Sequence, residues 1–77
     1  MDASGLDELP ARGVIKWFDC RKGFGFILDR YGQEVFVHHS VIEGTGFRSL
    51  REGQKVAYAV TDGPKGLLAV RLRPLTP

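Results

Sequence analysis

The chain holds one cysteine, one methionine and one tryptophan in 77 residues. A single thiol, Cys20, cannot close an internal disulfide, which removes the disulfide-stapled class of small domains and suits a reducing compartment. No apolar run approaches the length that crosses a bilayer, and the start of the chain lacks a basic-then-apolar signal segment. A cytoplasmic location is the expectation that follows. His38, His39 and Cys20 have no second ligand pair at zinc-like spacing, and neighbouring residues on a strand point to opposite faces, so no metal site is expected. No nucleophile, base and acid stand together, and a chain this short has little room for a buried cleft. Neither catalysis, a cofactor nor a small-molecule substrate is expected. Sustained helical periodicity is missing as well.

What is present is 43% hydrophobic and 26% charged, an ordinary balance for one small globular unit. The net charge of +2 conceals an asymmetry. Residues 1–10, "MDASGLDELP", carry three of the nine acids and no Lys or Arg. The remaining residues hold all eleven basic side chains against six acids, an excess of +5. An anionic partner is compatible with that excess, although charge alone does not require one. The first ten residues read as a flexible acidic segment, residues 11–74 as the folded domain, and residues 75–77 as a tail.

From Arg12 the pattern turns extended. "RGVIKWF", "FGFILD", "EVFVHH", "QKVAYAVT" and "LLAVRL" are short runs rich in β-branched and aromatic residues, separated by turn-forming "RYGQ" and "DGPKG" and by the loop "EGTGFRSLREG". Ser40 to Ile42 leaves room for one helical turn. Five short strands must close on themselves to bury one face and hide their edges, which predicts a small barrel. Ile15, Ile27, Val35, Val37, Ile42, Val56, Val60 and Leu72 are the expected interior, with Tyr58 sharing the face of Val56 and Val60.

The segment "KGFGFI" sets two phenyl rings between glycines. Val35 and Val37 belong inside, which puts Phe36 and His38 outside. Ile27 shares its parity with Gly23 and Gly25, so an interior Ile27 turns Phe24 and Phe26 outward. Glycine suits the inside of a tightly coiled strand in a small barrel. Exposed aromatics on a basic domain need a use. Base stacking is one, with Arg12, Lys16, Arg21 and Lys22 in adjoining segments to meet phosphates. A protein contact is the other.

"GVIKWFD", "KGFGFI" and "VFVHHS", in this order and spacing, closely resemble the cold-shock domain of bacterial cold-shock proteins and Y-box proteins. The similarity continues through "GFRSLREGQKV" into "GPKG", from about Arg12 to Leu72. The resemblance implies an all-β fold, a five-stranded antiparallel oligonucleotide-binding (OB) barrel. It also implies single-stranded RNA and DNA as partners and an RNA-chaperone role that keeps strands unpaired. By position it implies a platform of Trp17, Phe24, Phe26, Phe36, His38 and Phe47, bordered by Phe18, with Lys16, Lys22 and Lys65 on basic positions. Three departures stand out: Asp19 where asparagine is common, His39 where an aromatic completes the platform, and "KGLLAVRL" in place of a segment with proline after the glycine. Imidazole also stacks on bases, which keeps His39 among the contacts. Two other uses of the same surface are a sequence-selective transcription regulator and a protein-interaction barrel. A monomer is expected in the first two cases and a dimer is open in the last. An RNA-recognition-motif fold needs two helices of ten or more residues, and the chain offers neither.

Overall fold

A computed structural model of the chain describes residues 9–43 and 50–75. Five strands follow in order: β1 (Ala11–Asp19), β2 (Phe24–Asp29), β3 (Glu34–His38), β4 (Lys55–Gly63) and β5 (Gly66–Pro74). One 3-10 turn, His39–Val41, follows β3. The strands close into a barrel in the order β1-β2-β3-β5-β4. Four of the five pairings are antiparallel, as expected for a barrel of hairpins. Closure is made differently: β3 meets β5 in parallel at Phe36 and Leu68, and Ile42 adds a parallel bridge to Leu72. A parallel neighbour requires a crossover, and the chain between β3 and β5, which includes the 3-10 turn and β4, supplies one.

Ile15, Ile27, Val35, Val37, Ile42, Leu50, Val56, Tyr58, Ala69 and Leu72 form one buried cluster. Seven of the eight expected interior residues lie in it. Val60 does not, at 40% exposure. Its parity was right, since it pairs with buried Ala69 and so shares the inner face. It sits at the open end of the barrel, beside Pro10, Arg12, Tyr31 and Leu67, where the inner face no longer has an opposite wall. The β4–β5 register shifts between Ala59 and Val60, which leaves Val70 of β5 without a partner and 45% exposed. Tyr58 is fully enclosed, its hydroxyl meets no hydrogen-bond partner among the described residues, and burial followed by the nearby Asp29 carboxylate raises its pKa.

Leu9, in the acidic lead-in on sequence grounds, is buried, and its carbonyl accepts a 2.6 Å hydrogen bond from the Arg12 guanidinium. Residues 1–8 and Phe47 lie outside the described residues. No helix among the described residues is long and apolar enough to cross a membrane.

Candidate nucleic-acid interface

The outer face of β1, β2 and β3 carries the rings. Along β2, Gly25 and Ile27 are buried while Phe24 and Phe26 are only partly so. Along β3, Val35 and Val37 are buried while Phe36 is partly exposed and His38 exposed. Phe26 pairs with Phe36 and Phe24 with His38, and cross-strand partners share a face.

Trp17 joins them through a bulge. Ile15 pairs with Ile27 inside the barrel, yet Trp17, two residues on, pairs with outward-facing Phe26. Lys16 is the extra residue, and one extra residue reverses the alternation of everything after it. The tryptophan therefore emerges at 39% exposure. Its ring centroid lies 5.9 Å from Phe24 and 5.5 Å from Phe26, and Phe36 lies 5.6 Å from both phenylalanines. Four rings thus form a closed circuit, tilted or edge-on to one another, within the range that aromatic pairs favour.

Phe18 falls on the other side of the bulge. It pairs with buried Gly25 and packs against the core cluster. Its ring fills the inner space at that glycine, so it supports the platform from beneath and is no member of the ring circuit.

His38 and His39 extend the surface at one edge, their rings 4.4 Å apart and tilted by 34°. The His38 Nδ1 accepts the Ser40 amide at 3.2 Å. The same Nδ1 lies 2.9 Å from the Ser40 hydroxyl, so the side chain is tied to the 3-10 turn that follows β3. The His39 ring lies against Gly23, where a Cβ would stand 2.6 Å from Cδ2. Gly23 also has φ of +82°, a conformation that favours glycine, and it accepts the His39 amide at 2.8 Å.

Asp19 shapes the turn between β1 and β2. Its Oδ1 accepts the amides of Arg21 and Lys22 at 2.9 and 3.1 Å, and its carbonyl accepts that of Gly23 at 2.7 Å. This side-chain-to-backbone capping turns the carboxylate into the loop and fixes the backbone at exposed Lys22, two residues before Phe24. Lys16 is less available: its ammonium is paired with Glu34 of β3, across β2. Lys65 is exposed in the β4–β5 turn and overhangs a groove of ≈ 600 Å³ that runs from Phe26 and Phe36 to Pro64, Leu67 and Leu68. Pro64, Leu67 and Leu68 were missed in the sequence, because the parallel β3–β5 contact that brings them to the rings joins distant residues with no local signal; Glu34 was missed although it lies two residues before Phe36 on the same face of β3, where alternation could have found it.

The electrostatic balance elsewhere is structural. Glu43 bonds Arg71 and Arg73 of β5, and the hydrogen bond from Arg71, with the nearby charges of both arginines, holds its carboxyl below the ordinary 4.5. No group of three or more potential metal ligands exists among the described residues.

Comparison with known proteins agrees with this geometry. Residues 11–75 match the family described as the 'Cold-shock' DNA-binding domain. The chain is 58% identical over 64 residues to the cold shock-like protein CspA of Stigmatella aurantiaca, a match that covers 82% of this chain and 94% of the relative. It is 56% identical over 57 residues to the major cold shock protein CspA of Pseudomonas aeruginosa, covering 74% and 83% of the two chains. It is 48% identical over 62 residues to the cold shock protein CspC of Bacillus subtilis, covering 80% and 94%. Among solved structures, drosophila Unr CSD456 superposes with a TM-score of 0.73 at 25% identity, over 97% of this chain and 30% of that one. A closed five-stranded barrel with an outward ring circuit and a match over nearly its whole length together assign it: the chain belongs to the cold-shock domain family of nucleic-acid-binding proteins.

Proposed function

We propose that this protein binds single-stranded RNA and DNA with little sequence discrimination, without catalysis, and acts in the cytoplasm as an RNA chaperone. The observation that carries the reading is the four-ring circuit, held outward and partly exposed, with exposed Lys22 and Lys65 at its borders. Every base presents a π-face, so a ring surface accepts any sequence, and each stack contributes about 1–3 kcal/mol. The cations attract the backbone without reading it.

A protein that binds only the open strand displaces a hairpin toward the open form. At a free concentration of about a hundred times Kd the displacement reaches roughly 2.7 kcal/mol, enough to open weak hairpins without ATP. The experiment is a marginally stable RNA hairpin with a fluorophore and quencher at its ends. Addition of the protein without nucleotide should raise the open fraction along a saturable curve. An unchanged open fraction, under conditions where the unpaired strand alone is bound, would contradict the chaperone reading.

A further inference from the structure

The outer face continues past the rings. Leu28 shares it with Phe24 and Phe26, because the intervening Ile27 is fully buried. Val14 pairs with Leu28 on one side and Lys55 on the other, and Leu28 pairs with Glu34. A row from β4 to β3 therefore lies beside the row of Trp17, Phe26 and Phe36, offset by two residues of β2, or roughly 6.6 Å. The Lys16–Glu34 pair spans β2 at the boundary between the two rows.

Val14, Leu28 and Leu75 line a groove of ≈ 300 Å³ that Arg12, Arg30 and Lys55 border. Leu75 is 47% exposed. The side chains of Arg30 and Lys55 are exposed and make no hydrogen bond or ion pair among the described residues. Among the described residues, Arg12 donates to the carbonyls of Leu9 and Ala11 and pairs with no carboxylate. Asp29, the one carboxylate among the described residues that line the groove, is engaged in the following turn, where its Oδ1 accepts the amides of Tyr31 and Gln33 at 2.8 Å. An apolar floor between three cations fits the bases and phosphates of a nucleic acid strand. A second copy of this chain, docked patch to patch, would oppose the same three cations to themselves.

We propose that this groove lengthens the nucleic-acid path: a strand stacked on the rings crosses the Lys16–Glu34 pair, sets a base against Val14, Leu28 and Leu75, and brings its phosphates to Arg30 and Lys55. The inference rests on the single-strand reading above and adds a length to it. A strand that covers only the rings makes none of these contacts. A longer strand makes about two further phosphate contacts, which steepens the dependence of log affinity on log salt by about 1.4, at roughly 0.7 per phosphate.

The test measures salt slopes for a thymidylate hexamer and a decamer with the full chain and with the double variant Arg30→Ala, Lys55→Ala. Both side chains are exposed, and melting curves verify that the variant folds. The native protein should give a steeper slope with the decamer, and the variant should keep the hexamer slope while losing most of the decamer's excess. Equal slopes in the native protein, or an excess that survives in the variant, would overturn the proposal. So would self-association that Leu75→Ser abolishes, since a protein would then occupy the groove. Failure to bind the hexamer at all would instead reject the single-strand reading on which the extension rests.

Discussion

The ring of Phe18 lies over Gly25: a Cβ placed on the glycine would stand 2.9 Å from Phe18 Cδ1 and 2.2 Å from the Trp17 carbonyl oxygen. That contact lets β1 cross β2 with its bulge in place, and the bulge turns Trp17 to the surface. Phe18 and Gly25 are thus the inner half of an arrangement whose outer half is the ring circuit.

Gly25→Ala should therefore destabilise the fold by about 3 kcal/mol or more, because the added methyl has no room to relax. Urea denaturation measures this. The nearest obstacle is backbone, so adding Phe18→Ala should not restore stability. A Gly25→Ala protein as stable as the native one would contradict the close approach.

Phe26 and Phe18 should separate binding from folding. Phe26→Ala removes one stacking surface and should weaken single-strand binding by about 1–3 kcal/mol with a smaller effect on stability. Phe18→Ala should lower stability by about 2 kcal/mol or more, as for other large-to-small changes against a core, and weaken binding of the folded protein by less than tenfold. Parallel melts and titrations decide the matter, and the opposite pattern would place Phe18 on the binding surface.

Glu34→Gln releases the Lys16 ammonium from its pair. Single strands should then bind more tightly at low salt, with a salt slope steeper by about 0.7, while stability falls by less than about 1 kcal/mol because the pair is exposed. Weaker binding would show that Glu34 itself accepts a hydrogen bond from the strand.

Glu43 gives the fold a dependence on acid. Its hydrogen bond from Arg71 lowers the folded-state pKa below 4.5, so the folded protein holds this proton less tightly than the unfolded chain. The stabilisation is present in full above about pH 4.5 and is lost as pH falls through the lowered value. A half-exposed arrangement contributes on the order of 1 kcal/mol or less. Glu43→Gln should show that deficit at pH 7, and the gap to the native protein should narrow as pH falls through the lowered value; a deficit that does not change with pH would exclude the carboxylate's charge as its source.

Legibility in the sequence followed the alternation of local residues. Val35, Val37 and Ile27 fixed the parity of β2 and β3, and with it the outward placement of Phe24, Phe26, Phe36 and His38. Trp17 escaped alternation because the Lys16 bulge carries no composition signal. Val60 was on the correct face, but its burial depended on where the barrel ends. The groove under Lys65 and the Lys16–Glu34 pair depend on strand order, which local pattern does not encode. Asp19, a departure beside the binding face, became intelligible only through the amides of Arg21 and Lys22 that it accepts.

The central claim is that bases stack on the ring circuit, and Trp17 reports on it directly. Titration of the protein with oligo-dT, oligo-A and a duplex, followed by tryptophan fluorescence, should show saturable quenching by both single strands and little by the duplex, whose bases are already stacked. No quenching by single strands, or equal quenching by the duplex, would contradict the account.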